Sequence, residues 1–87
     1  MEQAIPFPRN PMTRVGEGYE FHPTAHEIQI LDWRGNLVWK MQKWEALGPI
    51  RWKGQDAQGR TVEMGEYVCK IVYSNGKAVY LPFVFLK

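Results

Sequence analysis

The chain has a single cysteine, Cys69, so it cannot form an intrachain disulfide. That weighs against a disulfide-stapled secreted scaffold and leaves a periplasmic or surface location open. No run approaches the roughly 18 apolar residues that a spanning helix needs. Met1 to Pro6 carries neither a basic start nor an apolar segment, so no signal peptide is expected there. The chain is then cytosolic, or a mature or excised piece, or carried by a partner. Excess charge of one sign is also missing. Eleven basic residues face nine acidic ones, and a net charge of +2 predicts neither nucleic acid nor an acidic membrane surface as a partner. No segment keeps a helical period of useful length, and there is no internal repeat or low-complexity tract. Neither Gly-rich phosphate motif is present, so a phosphate cradle is not expected.

What the chain does have is apolar and aromatic weight for a thin core. It is 45% hydrophobic, with four Trp, four Tyr and four Phe in 87 residues. A chain of this length forms one domain and buries only about 60% of its unfolded surface. Its densest organising stretch runs from Trp52 to Tyr67. Gly54, Gly59 and Gly65 allow three sharp changes of direction, and Asp56 is a turn residue that can bond backbone two positions on. Thr61-Val62-Glu63 is a short extended piece. The stretch is expected to be an ordered connection between two strands.

Residues 1–18 hold Pro6, Pro8, Pro11, Gly16 and Gly18, which predicts an extended lead-in or edge strand, pinned by Phe7 and Met12. Val15 to Phe21 is expected as the first strand and His22-Pro23-Thr24-Ala25 as a turn. His26 to Leu31 alternates, with Ile28 and Ile30 inward. Asp32-Trp33-Arg34-Gly35-Asn36 is a hairpin turn with Gly35 at positive φ. In the return strand Leu37 to Lys43, Leu37, Trp39 and Met41 share the expected core face. Trp44 to Pro49 is a loop closed by Gly48-Pro49, and Ile50 to Lys53 is a short strand with Ile50 and Trp52 inward. Glu66 to Tyr73 is the strongest strand signal, with Tyr67, Cys69, Ile71 and Tyr73 on one face. Asn75-Gly76 marks a hairpin. Ala78 to Leu86 closes the fold, with Val79, Leu81, Phe83 and Phe85 on one face and Pro82 marking a free edge. Short strands separated by turn signals predict an all-β, immunoglobulin-like or fibronectin-III-like sandwich of about seven antiparallel strands, a single domain with its body over 19–87.

Groups that carry chemistry are scarce. His22 and His26 are separated by Pro23 and lack a third ligand at metal spacing, so ordinary turn and strand-end histidines are expected. Asp56 with Gln58 is too sparse for a calcium loop. Cys69 shares parity with Tyr67 and Ile71 and reads as a buried apolar residue. Ser74 sits in a hairpin turn, and no carboxylates pair for acid–base work. No enzyme, metal or cofactor is expected. Lys40, Lys43, Arg51 and Lys53, interleaved with Trp39, Trp44 and Trp52, raise a nucleic-acid face, but Trp39 and Trp52 read better as core. Trp33 in its turn and Trp44 at a loop edge either fold over the core ends or anchor a protein partner. An exposed tryptophan pair would also suit a sugar ring.

Five segments carry a family resemblance. They are Ile28 to Val38 with Asp32-x-x-Gly35, then Trp52-x-Gly54-x-Asp56-x-x-Gly59, then Gly65-x-Tyr67 with Asn75-Gly76 and Pro82 to Lys87. Together with Phe7-Pro8-Arg9-Asn10-Pro11 they resemble the FlgD-like immunoglobulin-like domain over nearly the whole chain. Lys53 departs from that pattern, standing where the family usually has Asp. Type IX secretion C-terminal domains are similar in outline. The resemblance implies a β-sandwich without catalytic residues. It implies an assembly or connector module of a larger bacterial protein or complex outside the cytoplasm, periplasmic or at the cell surface. The alternative is a C-terminal secretion or sorting domain, with a carbohydrate-binding module behind it. Trp33, Trp44 and Pro82 are the candidate partner contacts: the two tryptophans through their side chains, and the Pro82-bearing last strand, like the Pro-rich lead-in, as an edge that a partner chain could complete.

Overall fold

A computed structural model describes residues 19–85. The expected lead-in 1–18, with Phe7 and Met12, lies outside the described residues, as do Leu86 and Lys87. Six strands occur among the described residues: β1 (Tyr19–Glu20), β2 (Ala25–Asp32), β3 (Leu37–Gln42), β4 (Arg51–Trp52), β5 (Gly65–Tyr73) and β6 (Ala78–Phe85). They form two antiparallel sheets, one ordered β3-β2-β5-β6 and one made of β1 and β4. The fold is all-β and sandwich-like. Of the strand expected over Val15–Phe21, the described part contributes only Tyr19 and Glu20, after which Phe21 drops into the core. The expected loop after β3 begins as a single 3-10 turn, Lys43–Glu45.

Alternation builds the core layer. Ile28 stands opposite Ile71, which stands opposite Val79; Ile30, Cys69 and Leu81 form the next row, and Tyr67 and Phe83 the next. All of these side chains share one sheet face, because residues directly opposite in antiparallel strands point the same way. Against them pack Trp52 and Ile50 from the second sheet and its approach, with Phe21 and Val62. Trp52 is fully buried, with its ring 5.8 Å from both Phe83 and Phe85 and 6.4 Å from Trp39.

Leu37 corrects the expected pattern. Leu31 pairs with Leu37 while Ile30 pairs with Trp39, so β3 carries one extra residue, Val38. This bulge breaks the period of two. Val38 and Met41 pack against the core, and Leu37 turns outward, 55% exposed beside Leu31.

Among the described residues β6 is the last strand of its sheet, which agrees with the free edge expected at Pro82. The Tyr73 N–H donates to the Lys77 carbonyl at 2.8 Å. Bonded and non-bonded pairs alternate from there, so Val79, Leu81, Phe83 and Phe85 turn their main-chain groups to β5. Ala78, Tyr80, Pro82 and Val84 turn theirs to the open edge. Pro82, which has no N–H, therefore costs the sheet no hydrogen bond and removes a donor from the edge itself.

Candidate partner-binding face

The Trp52–Tyr67 stretch spends its polar groups on itself. Trp52 Nε1 donates to the Gln55 carbonyl at 2.7 Å, and Val62 N–H to the Gly54 carbonyl at 2.8 Å. Asp56 Oδ1 accepts from the N–H groups of Gln58 and Arg60, both at 2.9 Å, while Gly59 N–H closes onto the Asp56 carbonyl. The backbone N–H of Lys53 donates to Gln55 Oε1 at 2.8 Å. Tyr67 Oη donates to the Glu63 carbonyl at 2.6 Å, tying the stretch to β5 at its far end. Gly54 lies under the Phe85 ring, where a Cβ would stand 2.6 Å from Cζ. The stretch closes one end of the core.

The β2–β3 hairpin repeats the Asp56 design. Asp32 Oδ1 accepts from Arg34 and Asn36 N–H at 2.9 and 2.8 Å, and Oδ2 from the Asn36 amide at 3.1 Å. Gly35 sits at φ 90° and Gly76, in the β5–β6 hairpin, at φ 89°. In both hairpins the glycine N–H bonds back three residues, to Asp32 and Tyr73. This is a type I turn followed by a glycine bulge, so Asn75-Gly76 forms a three-residue loop. These backbone bonds hold both Asp carboxyls below the usual carboxylate range.

This turn sets Trp33 at the first loop position with its side chain outside the core, 68% exposed, and Arg34 lies over its ring at 4.7 Å. Two contiguous grooves flank the indole. One, about 410 Å³, is lined by Asp32, Trp33, Glu63, Met64, Glu66 and Tyr67. The other, about 380 Å³, is lined by Trp33, Glu66, Val68, Pro82, Phe83 and Val84. The outward layer continues the apolar character across the sheet. Leu37 is opposite Leu31, Leu31 opposite Val68, and Val68 opposite Pro82. The fold therefore brings Trp33 and Pro82 to one groove.

Trp44 does not join them. It follows β3 beyond Gln42, which pairs with Glu27 near the start of β2, whereas Trp33 follows the end of β2. Trp44 is 74% exposed, with its Nε1 bonded to Gln42 Oε1, and Leu47 beside it is fully exposed. The two tryptophans mark opposite ends of the long sheet.

Sequence reasoning missed Glu63, Met64, Glu66, Val68 and Val84 as site residues. A signal was available: Val68 and Val84 fall on the solvent parity of strands whose other face is fully apolar, and an outward Val needs a reason.

The other candidates are occupied or buried. His22 Nδ1 bonds Thr24 Oγ1 at 2.9 Å within its own turn, and no group of three His, Cys, Asp or Glu could hold a metal among the described residues. Cys69 is completely buried, and burial pushes its thiol well above the usual range. Tyr67 is also raised, by burial first and then by the nearby charges of Glu63 and Asp32. Trp39 and Trp52 lie in the core, Arg51 pairs with Glu20, and Lys43 Nζ donates to the Pro23 carbonyl at 3.1 Å. No helix among the described residues is long and apolar enough to cross a membrane.

Fold and face together define an all-β sandwich-like module with an exposed apolar surface at one end of its larger sheet. No family model matches the chain, and no curated protein matches it. Among solved structures it is similar to PorZ, an essential bacterial surface component of the type-IX secretion system of Porphyromonas gingivalis. The TM-score is 0.54 at 20% identity, over 72% of this chain and 8% of that one. The likeness is one of fold, to a small part of a much longer protein.

Proposed function

We propose that this chain is a non-enzymatic interaction module that joins a larger bacterial assembly outside the cytoplasm through the Trp33 face. The observation that carries the proposal is the exposed Trp33 indole set between two contiguous grooves, with Pro82 and Val84 completing one of them. Large, rigid aromatics over apolar depressions are the side chains on which interfaces concentrate their energy. The resemblance of Trp52 to Gly59 and Gly65 to Tyr67 to the FlgD-like immunoglobulin-like domain supports an assembly or connector role. The fold shared with part of a type-IX surface component supports a location at the cell surface. Binding runs through side chains of the sheet face, because Pro82 interrupts the donors along the β6 edge that an added strand would need.

Capture of partners from the source cells by the wild-type chain and by Trp33→Ala tests this reading. Trp33→Ala is expected to keep the fold and to weaken capture by more than about tenfold, roughly 1.4 kcal/mol. Equal capture refutes it. The same fold likeness favours one second reading, a domain recognised by a secretion machine for export. Deleting the domain separates the two: lost export with function otherwise intact supports targeting, and intact export with a failed assembly supports the connector.

A further inference from the structure

The two grooves beside Trp33 have a one-sided charge. Among the described residues Asp32, Glu63 and Glu66 line them, and no Lys or Arg does. Arg34 lies over the Trp33 ring, and Lys70, two residues beyond Val68 in β5, lies over the Tyr80 ring. Asp32 is committed to its own turn through three hydrogen bonds. Glu63 and Glu66 are exposed, and among the described residues neither side chain has an ion-pair or hydrogen-bond partner. Glu66 belongs to both grooves, between the acidic half and the apolar half made by Val68, Pro82 and Val84. The whole chain is net positive, so this acidic corner runs against its overall charge.

We infer that the Trp33 face binds an extended, cationic segment of a protein partner, in which an apolar side chain lies on Trp33, Val68 and Pro82 while a neighbouring Lys or Arg reaches Glu63 and Glu66. The inference rests on the interaction-module reading and adds the chemistry of the partner. A segment of this kind satisfies both halves of the surface at once. An apolar side chain covers the exposed indole and the two valines, and a cation replaces solvent at the Glu63 and Glu66 carboxylates. An acidic segment meets like charge at the same place.

Short synthetic peptides with the whole chain provide the test: alternating Lys-Leu, alternating Glu-Leu, and alternating Lys-Ser. The readout is the indole N–H resonance of Trp33 and the backbone resonances of Glu66, Val68 and Val84. Lys-Leu is expected to bind, Glu-Leu and Lys-Ser to bind at least about tenfold more weakly, and added salt to weaken Lys-Leu binding. Glu63→Gln with Glu66→Gln is expected to cost about fivefold or more, with the fold unchanged, since both side chains are exposed.

Equal binding of Lys-Leu and Glu-Leu, or no effect of the double Gln variant, overturns the cationic partner. If Trp33→Ala still abolishes binding in that case, the apolar docking face survives. If Trp33→Ala changes nothing, the face itself fails as a site. Self-association of the chain in sedimentation, lost in Trp33→Ala, overturns the inference in favour of a second copy as occupant.

Discussion

Replacing Gly54 by Ala probes the close approach of the Phe85 ring to the backbone. Two separate costs meet there. The backbone is at φ +88°, where a side chain crowds its own carbonyl, at about 1–2 kcal/mol. The added Cβ also stands 2.6 Å from Phe85 Cζ and 2.7 Å from Cε1, inside any permitted contact. The ring cannot easily swing away. Phe85 is buried, packs against the buried Trp52 and sits opposite Gly65 in the β5–β6 ladder. Overpacking of this kind costs about 1–3 kcal/mol, so with the backbone part Gly54→Ala is expected to lose about 2–5 kcal/mol. Gly59→Ala is the control. It shares the left-handed backbone, at φ +85°, with nothing within 4 Å of the new carbon, and should lose only the backbone part, about 1–2 kcal/mol. Urea unfolding followed by tryptophan fluorescence reads both as midpoint shifts at constant slope. Phe85→Leu removes the ring atoms in question, so Gly54→Ala measured in that background should cost about 1 kcal/mol less than in the wild type. Equal losses in Gly54→Ala and Gly59→Ala, with no coupling to Phe85, would refute the packing argument.

Three further outcomes follow from bonds and burial already described. Backbone hydrogen bonds from Asn36 and Arg60 hold the Asp32 and Asp56 carboxyls below the usual carboxylate range, so each contributes stability that is present above about pH 4 and lost as pH falls through the folded value; Asp32→Asn and Asp56→Asn should each flatten the acid limb of the urea midpoint against pH. Tyr67→Phe removes the 2.6 Å bond to the Glu63 carbonyl and should cost about 0.5–1.5 kcal/mol by urea unfolding; a neutral result would mean that water replaces the hydroxyl without loss. Cys69 is fully buried with its thiol raised by burial, so an aromatic disulfide reagent should label it only as fast as the chain opens, and rapid labelling of the native chain would contradict the core assignment.

The elements most legible in the amino-acid order were those governed by a short-range rule. Ile28 and Ile30 in β2, and Tyr67, Cys69 and Ile71 in β5, declare their buried face because strand side chains alternate by covalent geometry alone. Asp32-x-x-Gly35 and Asp56-x-x-Gly59 declare their turns because a carboxylate and a glycine suffice to close one locally. Pro82 declares an open edge because it has no N–H to donate. Trp33 and Trp44 stood out as oddities for the same reason: large aromatics in segments that read as turn and loop.

What remained hidden depended on neighbours far along the chain. The face of Leu37 is set by a bulge at Val38, and a bulge is a property of how β3 registers with β2. The pressure of Phe85 on Gly54 joins residues from a connecting loop and the last strand. The site shows the same division. The order of residues placed Trp33 in a turn and Pro82 on an edge. Only the sheet order β3-β2-β5-β6, which sets β5 between their strands, brought them to one groove with Glu66 and sent Trp44 to the other end. Local chemistry selects turns and faces residue by residue, whereas strand pairing across long loops decides which of those faces meet. A binding surface built from several strands is therefore settled by the tertiary fold.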